Sequence, residues 1–171
     1  MELSLGCFLT DRVQPILDGR VAVPGVALRR DTGDTATLFR RALRERALQA
    51  TELSMASHIL LTARGEAPYV GIPVFLSRAF RHGSIVVRTD RGIGGPADLA
   101  GRRIGLPEYQ QTAALWLRGI LREQHGVDTR AIAWRSGGLE APHDGERVAL
   151  RLPPGHDVQP IPAGAPLNAL L

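Results

Sequence analysis

Two segments of the sequence place several hydrogen-bonding side chains where a strand would end and a helix begin. The first reads Glu-Leu-Ser-Met-Ala-Ser from Glu52 to Ser57. Backbone N–H groups at a helix N-terminus can bind a carboxylate, and the hydroxyls of Ser54 and Ser57 could strengthen that binding. The alternative is structural, with Ser54 capping the helix and Ser57 packing against its neighbours. The sequence leaves both interpretations open.

The second segment, from Gly105 to Thr112, reads Gly-Leu-Pro-Glu-Tyr-Gln-Gln-Thr. Glu108, Tyr109, Gln110 and Thr112 supply an acid, a phenol, an amide and a hydroxyl. This is more hydrogen-bonding variety than capping a helix requires, and it favours a ligand-binding role. The alternative is a polar loop in which Thr112 caps the following helix.

A third group, Arg78, Arg81 and His82, lies in a polar link between two apolar runs. Guanidinium groups bind both oxygens of a carboxylate, and an imidazole can transfer a proton. Together the three side chains would suit an aromatic dicarboxylate. Alternatively, the arginines pair with surface acids and the histidine has a structural role.

Several other chemistries are excluded or unsupported. All 21 basic side chains are arginine, which excludes an internal Schiff-base lysine. The chain has no phosphate-binding loop ending in Gly-Lys and no Gly-x-Ser-x-Gly nucleophile elbow. The five histidines are too widely spaced for a local metal motif. We therefore predict no metal ligands, although a metal site assembled from distant segments stays open.

Charge and hydropathy limit the partners of the chain. The net charge is +4, but the arginines are interleaved with acids, and the dense cluster at positions 40–46 fits the wet face of a helix, so no nucleic-acid partner is predicted. The run Ile59–Ala63 is too short to span a bilayer, and the N-terminus lacks the features of a signal peptide. Cys7 is the only cysteine, which fits a reducing compartment. We expect a cytoplasmic protein.

These segments are set in an alternation of predicted strands and helices. The strands are predicted at Glu2–Cys7, Val26–Arg29, Leu48–Glu52, Tyr69–Leu76, Ser84–Arg88, Arg103–Leu106, Ala131–Trp134 and Arg147–Leu152. The helices are predicted from an Asp11 cap to Leu17, over Thr37–Arg46 with a cap in Asp31–Asp34, over Ser54–Arg64, from Pro96 to Gly101, and over Thr112–Gln124. This order predicts an α/β protein with a largely parallel sheet, whose ligands bind at the carboxyl ends of the strands.

The same segments carry a resemblance to a known family. The sequence from Pro96 to Pro107, Pro-Ala-Asp-Leu-Ala-Gly-Arg-Arg-Ile-Gly-Leu-Pro, resembles a pattern that is widespread in type II solute-binding proteins. Further matches, in the same order along the chain, resemble the 4,5-dihydroxyphthalate decarboxylase group of that superfamily. They are Glu52–Ser57, Ile72–Phe75, Phe80–His82, Pro107–Ala113, and Trp134 followed by Gly137–Glu140. One departure is Phe8-Leu9-Thr10, where the family has Gly-Asp-Tyr.

The resemblance implies a type II periplasmic-binding-protein-like fold with two lobes. Residues 1–90 would form the first lobe and residues 91–171 the start of the second, which would be incomplete because family members are longer. An incomplete lobe leaves apolar surface and a sheet edge uncovered, so the chain could form homo-oligomers.

The resemblance also implies a reaction, the loss of CO₂ from a hydroxylated phthalate without an organic cofactor. His82 would donate the proton, and Arg78 and Arg81 would anchor the small anionic aromatic substrate. The substrate would be positioned by Ser54, Ser57, Glu108, Tyr109, Gln110 and Thr112, and we expect all of these residues to converge on one cleft. Two alternatives stay open: a non-catalytic solute-binding protein of an ABC-type transport system, and an inactive fragment.

Overall fold

A computed structural model describes residues 1–141 and 145–170 of the chain. The structure divides into two units, a first unit from Met1 to Arg78 and a second unit that begins at Ala79. Each contains one small parallel sheet with helices. The predicted α/β class with parallel sheets is therefore confirmed.

The first unit is built on a three-stranded parallel sheet in which β1 (Glu2–Gly6) lies between β2 (Ala27–Asp31) and β3 (Ala50–Thr51). The strand nearest the N-terminus is central, with Leu5 aligned between Arg30 on one side and Ala50 on the other. The elements of this unit are β1 (Glu2–Gly6), α1 (Gln14–Leu17), β2 (Ala27–Asp31), α2 (Thr35–Arg40), a π-helical turn (Arg41–Glu45), β3 (Ala50–Thr51) and α3 (Met55–Ala63).

Packing and capping explain the layout of the first unit. A small apolar core lies between the sheet and the α2 region, formed by Leu38, Phe39, Ala42 and Leu48. A Cβ atom at Gly6 would lie only 2.6 Å from Cδ1 of Leu48, so glycine lets the central strand approach this core. The Asp34 carboxylate accepts hydrogen bonds from the backbone N–H groups of Ala36 (2.9 Å) and Thr37 (3.0 Å), as expected for an N-cap.

One predicted cap is wrong. Helix α1 begins only at Gln14, with Val13 in the N-cap position and no side-chain capping bond. The Asp11 carboxylate instead accepts a hydrogen bond from the neighbouring N–H of Arg12 at 2.9 Å. Pro15 supports the later start, because its fixed φ angle suits the first turn of a helix.

The second unit contains a parallel sheet in which β5 (Ala133–Ser136) lies between β4 (Arg103–Leu106) and β6 (Val158–Pro160). The long helix of this unit is α4 (Thr112–His125). Short 3₁₀ turns lie at His82–Ser84, Thr89–Arg91, Pro96–Leu99 and Leu167–Leu170. The core consists of Leu99, Leu106, Tyr109, Ala114, Leu121, Val127, Ile132 and Trp134. Helix α4 ends at Gly126, whose φ of 66° is the left-handed conformation that glycine adopts easily.

Three predicted strands are absent from this structure, although all of their residues are described. Tyr69–Leu76 is irregular, and so is the segment 85–88 that follows the 3₁₀ turn His82–Ser84. Val70 and Ile72 are 90% and 73% exposed. Their β-branched residues favour extended backbone, but a strand also needs a neighbour to complete its hydrogen bonds, and no described strand pairs with them. Arg147–Leu152 is also irregular, since the Arg147 N–H donates to the Glu108 side chain at 3.1 Å.

No helix in residues 1–141 and 145–170 is long and apolar enough to cross a membrane. The boundary between the two units lies after Arg78, and the expected lobes, residues 1–90 and 91–171, stay predictions. The two-lobed binding-protein architecture itself stays a prediction.

Candidate active site

In the first unit, the carboxyl ends of β1 and β3 bring Phe8 and Glu52 together. The Phe8 N–H points to Oε2 of Glu52 at 3.4 Å, across 44 residues of sequence. Phe8 and Glu52 lie close together because β1 and β3 are parallel, so the segments that follow them leave the sheet at the same edge. Phe8, Glu52 and the start of α3 therefore lie along the edge where α/β sheets bind ligands.

The Glu52 carboxyl lies in a partly dry environment. Burial raises its pKa above the usual range, against the smaller opposing effects of the Phe8 N–H and the Arg12 charge. Burial likewise raises the pKa of the Cys7 thiol, and the nearby Glu52 charge raises it further. The Thr10 hydroxyl is buried without a hydrogen-bond partner in the described part of the chain. Glu52 is thus an acid that favours its protonated form more than an exposed glutamate does.

Ser54 and Ser57 occupy the first turn of α3. Ser54 is the N-cap, and its hydroxyl accepts a hydrogen bond from the Ser57 N–H at 3.4 Å. Ser57 is fully buried. The capping role considered for Ser54 is confirmed, and a ligand-binding role for either serine stays a prediction.

In the second unit, the polar turn before α4 contains a buried acid. The Glu108 carboxylate accepts hydrogen bonds from Gln110 Nε2 (2.7 Å), from Arg147 Nε (2.7 Å) and from the Arg147 backbone N–H (3.1 Å). Glu108 and Gln110 are both less than a tenth exposed. Their side chains therefore fix the turn to the segment containing Arg147.

Tyr109 is held from several directions within the same turn. Its N–H donates to Oε1 of Glu146 at 2.6 Å, and its carbonyl oxygen accepts a hydrogen bond from Nη1 of Arg118 at 2.7 Å. The Arg118 guanidinium carbon lies 3.7 Å from the centroid of the Tyr109 ring, and the Trp134 ring meets that ring edge-on at 5.9 Å. Burial raises the pKa of the Tyr109 phenol, and the Arg118 charge partly opposes that rise.

Thr112 is the first residue of α4, and the N-cap position is occupied by Gln111 without a side-chain capping bond. The alternative in which Thr112 caps α4 is therefore wrong, because Thr112 is already helical. A ligand-binding role for Thr112 stays a prediction.

The third predicted group lies where the two units divide. The Arg78 guanidinium lies 5.3 Å from the centroid of the Phe75 ring, at the end of the first unit. In the second unit, Arg81 is half-buried, and the exposed His82 ring stacks on Phe80 with centroids 4.6 Å apart. Nε2 of His82 lies 2.9 Å from Oε1 of Gln124.

The predicted site residues thus fall into separate groups. Ser54, Ser57 and Arg78 belong to the first unit; Arg81, His82 and Glu108–Thr112 belong to the second. Their convergence on one cleft stays a prediction. Among the described residues, no group of three or more His, Cys, Asp or Glu side chains is arranged to hold a metal ion.

Comparison with known proteins gives two close matches over all 171 residues. The chain is 44% identical to a 4,5-dihydroxyphthalate decarboxylase of Comamonas testosteroni and 42% identical to a 4,5-dihydroxyphthalate decarboxylase of Pseudomonas putida. This chain is a relative of the 4,5-dihydroxyphthalate decarboxylases. It spans 52% of the length of the first protein and 66% of the second. No protein-family model matches the chain.

The decarboxylase resemblance drawn from the motifs is therefore confirmed, but the motifs did not include every residue that shapes the candidate site. Glu146 and Arg147 were missed because they contact the polar turn from 36 to 39 residues away, and no local pattern marks such contacts. Arg118 could have been identified. It lies on the same face of α4 as the buried residues Ala114 and Leu121, where an arginine needs a partner.

Proposed function

We propose that the chain belongs to a protein that decarboxylates a hydroxylated aromatic dicarboxylate of the 4,5-dihydroxyphthalate type without oxidation. The supporting observation is its 44% and 42% identity, over all 171 residues, to two proteins named for this activity. The same similarity favours the decarboxylase over a non-catalytic transport protein. The cytoplasmic location and the two-lobed binding-protein fold are parts of the same proposal.

The reaction requires a proton donor for the ring carbon and groups that anchor the two carboxylates of the substrate. The bond between a ring carbon and one carboxylate breaks, CO₂ leaves, and that ring carbon takes a proton in its place. The hydroxyl para to this carbon supplies electron density while the proton is added. The second carboxylate is retained, so 4,5-dihydroxyphthalate gives 3,4-dihydroxybenzoate. No organic cofactor takes part in the proposed reaction.

His82 is the proposed proton donor, and Arg78 and Arg81 are the proposed carboxylate anchors. Imidazole and guanidinium have the chemistry that these steps need. Glu52 is a second candidate for the proton donor, because burial favours its protonated form. If Glu52 acts as the acid, activity falls as the pH rises through its raised pKa.

The remaining residues would position the substrate. Ser54, Ser57, Tyr109, Gln110 and Thr112 lie at the starts of α3 and α4, and backbone N–H groups at helix N-termini suit anions. Glu108 and Gln110 are bonded to each other, and Glu108 is also bonded to Arg147. Their proposed contribution is to hold the turn that presents Tyr109.

Direct assay tests this function. The chain and a full-length relative are incubated with 4,5-dihydroxyphthalate, and CO₂ and 3,4-dihydroxybenzoate are quantified. Phthalate is the matched control substrate, because it has both carboxylates but lacks the hydroxyls that assist ring protonation. Release of CO₂ from 4,5-dihydroxyphthalate and not from phthalate supports the proposal. If the relative is active and this chain neither turns over nor binds 4,5-dihydroxyphthalate, the proposal fails for this chain.

A further inference from the structure

The backbone N–H, the carbonyl and the ring of Tyr109 are held by neighbouring residues, but its hydroxyl is not held by any of the described residues. Its N–H binds Glu146, its carbonyl binds Arg118, and its ring lies against Arg118 and Trp134. The Trp134 ring is itself anchored, because its Nε1–H donates to the Thr129 carbonyl at 2.9 Å. No hydrogen bond engages the phenol oxygen of Tyr109 within the described residues.

Arg118 makes the largest share of these contacts. Its guanidinium hydrogen-bonds the Tyr109 carbonyl at 2.7 Å and covers the ring face at 3.7 Å, so one side chain fixes both the backbone and the ring. A desolvated cation over an aromatic face is among the stronger arrangements of this kind. The charged groups beside Tyr109 are Arg118, from α4, and Glu146, from the segment that also contains Arg147.

We propose that Arg118 is a positioning residue that holds the Tyr109 phenol ready to hydrogen-bond a carboxylate or ring hydroxyl of the bound aromatic ligand. The identity of that ligand rests on the proposed function. A hydroxyl that is already fixed loses little conformational freedom on binding, so its hydrogen bond contributes more to affinity. The positive charge of Arg118 also favours the approach of an anion.

The positioning can be tested without any ligand. The chain has two tyrosines, so ¹³Cζ-tyrosine labelling gives two resonances, and Tyr69→Phe assigns them. Arg118→Met should shift the Tyr109 resonance and raise the pKa of its phenol, because the opposing positive charge is removed. Arg122→Met, on an exposed part of the same helix, is the matched control and should leave the resonance in place.

Ligand binding gives the second measurement. Arg118→Met should weaken the binding of 4,5-dihydroxyphthalate about tenfold, which corresponds to losing one well-placed charged contact. In a Tyr109→Phe background, the same substitution should have little further effect, because the phenol through which Arg118 acts is already gone. If Arg118→Met does not fold, Arg118→Lys replaces it, since lysine keeps the charge but loses the planar stack.

The outcomes distinguish failure of the positioning role of Arg118 from failure of the proposed function. An unmoved Tyr109 resonance in a folded Arg118 variant overturns the positioning role. Equal weakening of ligand binding with and without the Tyr109→Phe substitution also overturns it, since Arg118 would then act independently of the phenol. If Arg118→Met moves Tyr109 but the unmodified chain does not bind 4,5-dihydroxyphthalate, the proposed function fails while the positioning of Tyr109 stands.

Discussion

Glu108 and Arg147 form a buried ion pair in which Oε1 of Glu108 lies 2.6 Å from Nη2 of Arg147. Their side chains are only 8% and 9% exposed, so neither charge is stabilised by bulk water. Removing one partner from such a pair leaves a buried charge without compensation, whereas replacing both by apolar groups can be nearly neutral.

Arg147→Met should therefore reduce the free energy of unfolding by about 3 to 5 kcal/mol, measured by urea denaturation. The double variant Glu108→Met with Arg147→Met should recover much of that loss. Arg130→Met is the control, because the Arg130–Asp128 pair is exposed and should contribute little. A loss no larger than that of the control would contradict the structural role of the Glu108–Arg147 pair.

Glu52→Gln should stabilise the chain at neutral pH and have little effect near pH 4. Burial raises the pKa of Glu52 in the folded state, so folding favours its protonated form. The resulting stability is present below the unfolded pKa and is lost as the pH rises through the folded pKa. Glutamine keeps a neutral side chain throughout. Thermal unfolding at several pH values measures the difference, with the exposed Glu123→Gln as the control variant. A destabilised Glu52→Gln protein at pH 7 would contradict this prediction.

In a full-length relative, the substitution that corresponds to His82→Ala should lower decarboxylation about a hundredfold or more while the affinity for 4,5-dihydroxyphthalate persists, because a general acid contributes roughly that much to the rate. Gln124→Ala is a useful companion, since it removes the hydrogen-bond partner of His82 and leaves the imidazole. We expect a smaller effect from it. Measured kcat and Kd values test whether His82 is the proton donor. Unchanged turnover in His82→Ala would leave Glu52 as the candidate proton donor.

Exposed apolar side chains predict self-association of the chain. Ile59 on α3 and Trp116 on α4 are 56% and 61% exposed, and Val70 and Phe80 are more exposed still. Sedimentation velocity should show oligomers of the unmodified chain, and Trp116→Glu or Ile59→Glu should each shift the distribution towards monomer. Thr62→Glu, at an exposed position on α3, is the control for added charge. A monomeric unmodified chain with one sharp thermal transition would contradict this prediction.

Local signals in the sequence predicted some elements closely and missed others. Strand β4 has the predicted bounds, and α4 differs from its prediction by one residue, because Gly126 and the polar turn before Thr112 mark its ends. Ser54 was considered as the cap of α3, because a serine just before a helical pattern is a local signal for a helix N-terminus. The segment Tyr69–Leu76 has equally strong β propensity but forms no strand, since pairing depends on a distant partner that propensity does not report.

The candidate site shows the same division between local and distant causes. The polar turn from Glu108 to Thr112 was recognised from its composition, whereas Arg147 was predicted to begin a strand and no role was predicted for Glu146. In the structure, the side chains of both residues bind the turn. Such contacts depend on how the chain folds back on itself, which no short window of sequence contains.

The contact between Glu146 and the Tyr109 amide also has a consequence for the order of folding events. This hydrogen bond closes a loop of 37 residues, whereas the Leu115 amide bonds to the Gln111 carbonyl within one helical turn. Helix α4 can therefore form early, but the Tyr109 amide is protected only after the distant segment has docked. In pulse-labelled hydrogen exchange, the Leu115 amide should become protected before the Tyr109 amide, which would make Tyr109 a native reporter of the slower closure.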